Sequence, residues 1–257
     1  ASGLFKDPNV YSTYIIFPMI LMIHKMIQGE TKRPILLSLS LAITSIGLFL
    51  SFSRGAWANF VMAAMMLFAL TFILYDSPKL RLRLAIYVVG ALLFATVAFI
   101  ILMSIPTIQK MFVERFALVQ SYDGGETGRF GNQLRSIPEL LRRPFGYGPF
   151  VFGIVYGQAP HNTFVNAFAA YGWLGGISYF LLICSTLLIG LKTIFTKTPW
   201  QGLAIAVYSA LVSVIFQGIQ IDTEHWRHFY WMLGLMWGLF AASLQPGVLL
   251  RRATANS

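Results

Sequence analysis

The sequence predicts an all-α fold, a polytopic transmembrane helical bundle of about seven spans with one long outer loop that carries an amphipathic helix. Hydrophobic residues make up 57% of the chain and charged residues only 11%, against about 45–50% and about 25% in soluble domains. Apolar runs close to the ~20 residues that cross a bilayer recur along nearly the whole chain. These runs are continuous rather than alternating, so a backbone that must pair internally in hydrocarbon is expected as helices and not as a closed barrel.

In chain order, the apolar runs predict spans over 10–28, 35–51, 56–75 and 84–105, then 163–190, 202–220 and 229–246. The polar stretch 106–160 divides the chain into membrane helices at 1–105, an outer loop at 106–160, and membrane helices with an inner tail at 161–257. Within the loop, Phe130, Leu134, Ile137 and Leu141 recur at helical spacing among polar residues, which predicts a surface-lying amphipathic helix. Pro138 is expected to kink or restart it, because proline lacks the backbone donor.

Alternate connections differ in charge. One set holds Lys25, Lys32, Arg33, Lys79, Arg81, Arg83, Lys192, Lys197, Arg251 and Arg252 against only Glu30 and Asp76. The other set, which includes the long loop, is nearly balanced. Basic residues are retained on the cytoplasmic side, so the first set is expected inside and the long loop outside. This asymmetry accounts for the net charge of +10 and sets nucleic-acid binding aside. The lone Cys184 lies in an apolar run and supports neither a disulfide framework nor a paired metal motif. The chain opens Ala-Ser-Gly-Leu-Phe with no signal-peptide pattern, so earlier spans are expected to precede it.

Few polar residues are candidates for chemistry. Arg54 sits in the tight Ser53-Arg54-Gly55 hairpin at the mouth of two neutral helices, where Gly55 permits close approach of a ligand or a helix; snorkelling to the surface is the plain alternative. Arg129 opens the amphipathic helix, and Arg135, Arg142 and Arg143 add charge that suits anionic lipid as well as substrate. The turn Pro144-Phe145-Gly146-Tyr147-Gly148-Pro149 can present backbone NH groups to an anion. His161 stands just before the fifth span, where an imidazole titrating near neutrality suits a general base, and Asn162 or Thr163 can cap the helix. Gly172 and Gly176 have the small-xxx-small spacing of a packing seam on that same helix. His225 and His228, three apart in Asp222-Thr223-Glu224-His225-Trp226-Arg227-His228, can share a ligand on one helical turn, but interfacial Trp and charge anchoring explains the short exposed turn better and no metal site is expected.

Taken together, Gly3-Leu4-Phe5-Lys6-Asp7-Pro8-Asn9, Ser53-Arg54-Gly55-Ala56-Trp57, Gly128-Arg129, and His161-Asn162 with Gly172 and Gly175 form an ordered set. It resembles the O-antigen ligase and polymerase superfamily of bacterial envelope glycan enzymes. Two positions differ from the ligase pattern: Gly176-Ile177 stands where Thr-Thr is frequent, and Gln133 where an aromatic residue or leucine is common.

The resemblance implies a multi-pass protein of the bacterial inner membrane with its active site facing the periplasm. It implies transfer of glycan from a polyprenyl-diphosphate carrier to a hydroxyl of lipid A core or of a growing polysaccharide, without metal or other cofactor. His161 then matches the histidine that activates the acceptor, and Arg129 and Arg54 match the arginines suited to diphosphate. Asn162 and Arg135 are expected to join Arg54 and Arg129 in binding substrate. Membrane lipids complete the expected partners. A lipid-linked sugar flippase is the rival reading, but a transporter keeps ionisable groups near the bilayer midplane, whereas these gather at span ends and in one loop. A structural subunit whose loop docks a partner is the third.

Overall fold

The computed structural model describes residue 5 and residues 7–116 and 128–245. Among these, all regular structure is helical: α1 Pro8–Gln28, α2 Pro34–Phe49, α3 Arg54–Leu74, α4 Pro78–Met103, α5 Pro106–Phe116, α6 Arg129–Leu140, α7 Phe152–Tyr156, α8 Thr163–Ile194, α9 Gln201–Gln217 and α10 Arg227–Ser243. Each predicted span is covered by a helix. Four of them, α1, α3, α4 and α8, are long and apolar enough to cross a membrane, while α2 and α9 are apolar but shorter.

Local chemistry sets the boundaries. Pro8, Pro34 and Pro78 begin helices in the position where a missing N–H costs nothing. Asp7, Ser53, Ser77 and Asn162 cap helix starts with side-chain oxygens. Gly29 closes α1 in the left-handed conformation. Two loop elements differ from expectation. A further helix, α5, follows α4 and brings Phe112 against Trp57. α6 runs across Pro138 and stops two residues later at Leu140, since the proline cannot donate to the carbonyl four residues before it and weakens the last turn.

The centre is α9 packed against α1 and α3, with Ala204, Ile205, Ala206, Val207, Ala210 and Leu211 buried on successive faces. α8 and α10 flank α9 on its other side, and α2 and α4 lie against α1. α4 by contrast exposes nearly its whole length, including Leu82, Ile86, Val89, Leu93 and Val97, the pattern of a helix whose solvent is lipid. These features make the chain a multi-pass helical membrane protein.

α8 is not one rod. Gly172 breaks it with φ 68° and ψ −164°, and the ring of Phe164 lies 5.8 Å from that of Tyr179 and 6.5 Å from that of Phe180. Residues fifteen apart in a straight helix are about 22 Å apart, so the two arms, 163–171 and 173–194, fold back on each other. Gly175 and Gly176 admit Tyr171 and Phe168 of the first arm, where any side chain would collide. The expected Gly172–Gly176 seam is thus corrected: Gly172 makes the reversal, and the following glycines pack the helix against itself. The second arm, about 33 Å long, is the part able to span ~30 Å of hydrocarbon.

Candidate functional site

One end of the bundle gathers the starts of α1, α3, α8 and α10 and the end of α9. Asp7 caps α1 by accepting the Asn9 N–H (2.6 Å), and Asn9 Oδ1 accepts the hydroxyl of Ser53 (2.5 Å), which itself caps α3. Gln217, at the end of α9, accepts from Thr13 of α1 (2.9 Å) and Asn59 of α3 (2.5 Å) through Oε1. Its Nε2 stands against the α carbon of Gly55, where a Cβ would meet it at 3.7 Å. Arg54, the first residue of α3 and half-buried, is held by this junction. Gly3, Leu4 and Lys6 of the opening motif lie outside the described residues.

The next residue, Gly218, accepts the Thr163 N–H (2.7 Å). Around it the 160–163 segment is bound to the α9–α10 loop. The Thr163 hydroxyl donates to the Ile221 carbonyl (3.1 Å) and accepts the Thr223 N–H (2.7 Å). Asn162 caps α8, with Oδ1 accepting from Phe164 and Val165 (3.0 and 3.1 Å) and Nδ2 donating to the Ile219 carbonyl (3.2 Å). Its own N–H goes to Asp222 Oδ1 (2.9 Å), and the His161 N–H also reaches that carboxyl. Burial, with repulsion from Glu224, raises Asp222 from the ordinary carboxylate range to about 6, against the pull of those two N–H groups.

His161 has φ 47°, a left-handed conformation that costs a non-glycine residue about 1–2 kcal/mol. It is fixed from both sides. Its N–H is held by Asp222, and its carbonyl accepts from Gln133 Nε2 (3.2 Å), which also serves the Pro160 carbonyl at 2.8 Å. Gln133 lies one helical turn after Arg129 on α6, so that helix and the histidine segment share one junction. The backbone of Arg129 opens α6; its side chain lies outside the described residues. Arg135, exposed, donates to Asn132 Oδ1 (3.0 Å) and stands 5.5 Å over the Tyr156 ring.

The glycine-rich turn plugs the break in α8. Trp173 N–H donates to the Pro144 carbonyl (2.9 Å) and Tyr147 N–H to that of Ala169 (2.7 Å). Gly146, φ 68°, and Gly172 touch backbone to backbone, so that a Cβ on either collides with main-chain atoms. At least two of the turn's NH groups are therefore engaged within the protein, those of Gly146 and Tyr147. The Tyr147 hydroxyl donates to Glu139 (2.5 Å) and holds its carboxyl below the usual range.

In the Asp222–His228 stretch, His225 faces Glu224 at 3.7 Å and His228 stacks on Trp226. Among the described residues no three His, Cys, Asp or Glu side chains are grouped to hold a metal ion. Sequence reasoning missed Gln133, Gln217 and the carboxyl of Asp222 as the groups that bind these segments together. For the two glutamines the signal was an amide on the polar face of an amphipathic helix, or at the end of an otherwise apolar run.

A family model described as O-antigen ligase matches residues 39–180, more than half of the chain. The chain belongs to the O-antigen ligase family. Neither the curated proteins nor the solved structures yield a match. The O-antigen ligase match takes in the Arg54 hairpin, α6, the glycine-rich turn and His161, while α1 and the Asp222 loop lie outside it. Membership makes the protein a membrane enzyme of O-antigen ligase or polymerase type, acting on lipid-linked glycans.

Proposed function

We propose that the protein transfers glycan from a polyprenyl-diphosphate carrier to a hydroxyl acceptor, lipid A core or a growing polysaccharide, on the periplasmic face of the bacterial inner membrane. The observation that carries this is the shared junction: the Arg54 hairpin meets Gln217–Gly218, which holds Thr163 beside His161, and His161 is tied to the helix that Arg129 opens. The opposite end carries Lys25, Lys79, Arg81 and Arg83, which supports placing that end in the cytoplasm and the junction outside.

In this reading the anomeric C–O bond to the carrier breaks and its electron pair leaves with the diphosphate, whose growing charge Arg54 and Arg129 stabilise. The acceptor oxygen forms the new bond on the opposite face of the sugar. Its proton passes to His161, which Asp222 and Gln133 hold by the backbone, so the configuration inverts. No metal takes part. Asn162 positions His161 through the α8 cap, and Arg135 flanks the diphosphate site. An apolar cavity of about 810 Å³ between α2, α3 and α4, with Phe49, Trp57 and Phe99 near the Arg54 hairpin, has the lining that an isoprenoid chain requires.

The test is transfer from purified polyprenyl-diphosphate glycan by full-length protein in liposomes, with chelator throughout. His161→Ala and Arg129→Ala are each expected to lower transfer at least a hundredfold while donor binding and folding persist for His161→Ala. The labelled acceptor decides ligase against polymerase. Transfer at wild-type rate in both variants overturns the assignment, and donor movement without transfer identifies a flippase.

A further inference from the structure

α6 is folded inside out for a protein in water. Its polar residues Asn132, Gln133 and Ser136 are 1%, 8% and 0% exposed, whereas the apolar Leu134 and Leu141 are 71% and 66% exposed, with Phe130 and Ile137 exposed beside them. The buried polar face is not misplaced: Asn132 donates to the Tyr156 carbonyl, Gln133 to those of Pro160 and His161, and Ser136 to that of Gln133. The described residues leave the apolar stripe uncovered, and it needs a cover, since an amphipathic helix is stable only when that face leaves water.

The cover follows from where α6 lies along α8. Gln133 sits at the level of His161, and Thr163 is bound to Thr223, beside Tyr179 of the second arm. At its other end, the Leu140 carbonyl accepts the indole N–H of Trp173 (3.1 Å). α6 thus lies alongside the outer part of the membrane-spanning arm, between the levels of Tyr179 and Trp173. Over that same stretch the arm exposes Leu174, Ile177 and Phe180, so both elements present apolar side chains at the same depth. Arg142 and Arg143 follow directly, exposed, where the helix ends, as suits lipid phosphates at the hydrocarbon boundary.

We propose that α6 is immersed in the outer leaflet, its apolar stripe against acyl chains and its polar face packed on the 156–161 segment that carries His161. The segment expected as a periplasmic loop is then in part a membrane element, and its buried polar face seats the 156–161 segment at the depth of the outer leaflet. The proposal rests on the membrane class of the chain and stands apart from the transfer reaction.

The experiment is collision accessibility of nitroxides in full-length protein in phosphatidylethanolamine–phosphatidylglycerol liposomes. Labels go singly at Leu134→Cys and Ile137→Cys in a Cys184→Ser background, with Leu174→Cys as the lipid-facing reference and Glu30→Cys as the aqueous one. The expected oxygen-to-nickel ratio at 134 and 137 matches that at 174 and exceeds that at 30 at least fivefold. A ratio like that at 30 overturns the proposal, as does low accessibility to both reagents, which means that protein and not lipid covers the face. Unsubstituted protein provides an independent reading: a lipid with a photoreactive acyl chain is expected to label peptides over 130–145 as well as α4. Labelling of α4 alone overturns it.

Discussion

The two ends of the bundle are built by different means. At the basic end, neighbours in sequence do most of the work, through Pro-started helices, the Gly29 cap and the Arg81–Asp76 pair at 3.1 Å, while Arg83 reaches across the chain to the Gln28 carbonyl at 3.0 Å. At the site end, hydrogen bonds join segments far apart in the chain, such as Thr13 to Gln217, Asn162 to Asp222 and Gln133 to Pro160. Charge-anchored helix ends need only the right side of the membrane, and a variety of residues satisfies that. The site end fixes backbone that no regular element would hold, including His161 in the left-handed region. Order that costs free energy locally persists only where surrounding bonds over-determine it, which is the condition a preorganised site requires.

The largest departure between the ends is expected from Gly172→Ala. Its φ of 68° penalises any side chain, and the new Cβ overlaps the Pro144 carbonyl and Phe145 backbone. The left-handed cost alone is about 1–2 kcal/mol, and relieving the overlap must displace the 143–149 turn from the break in α8. Amide hydrogen exchange over 143–149 and 169–173 is expected to rise at least tenfold in rate, with the α1–α4 contact at the basic end unchanged. Wild-type exchange at the turn would show that the backbone contact does not hold the two arms.

How much of this was legible follows the same division. Spans and the charged end are local properties, so hydropathy and the count of basic residues were enough to place them, and Asn162 was legible as a cap of α8. The reversal in α8 was not visible, because 163–194 is apolar throughout and a hairpin has the same hydropathy as a rod. Its signal was two glycine clusters, Gly146 with Gly148 and Gly172 with Gly175 and Gly176, that meet only in three dimensions. Hydropathy also cannot tell a helix buried in protein from one bathed in lipid. α9 and α4 are both apolar, and only the small residues of α9, Gly202, Ala204, Ala206, Ser209 and Ala210, mark it as the closely packed centre. Arg54, Arg129 and His161 stood out as ionisable side chains in short glycine- or asparagine-flanked motifs. Gln133 was noted only as a departure from pattern, since its two partners are carbonyls, and carbonyls leave no trace in a side-chain motif.

An intermediate effect is expected from Asp222→Asn, which keeps an oxygen for the N–H groups of His161 and Asn162 while removing the titration. Burial and Glu224 raise the folded pKa to about 6 from 3.8, so the folded state binds the proton more tightly than the unfolded chain. The contribution of this group to stability is complete below pH about 3.8 and is lost as the pH rises through about 6. The thermal midpoint of the wild type should therefore decline relative to Asp222→Asn between pH 4 and 6.5, and the two curves should run parallel above it. Parallel curves throughout that window would mean that Asp222 is solvated and does not constrain the histidine segment.

The smallest effect is expected from Arg83→Ala at the basic end. The guanidinium satisfies the Gln28 carbonyl, one of those that α1 leaves unpaired at its last turn, and complements the negative end of the helix. Such a contact at a half-exposed helix end contributes about 0.3–1 kcal/mol, and water replaces the lost donor. The variant should lose a small part of its thermal stability, show faster exchange at 27–30, and transfer glycan at the wild-type rate. A fall in transfer comparable to that of a site-end variant would mean that strain passes along α1, through Thr13 and Gln217, to Gly218 and the histidine segment, and the two ends would then be one cooperative unit rather than two separately held ones.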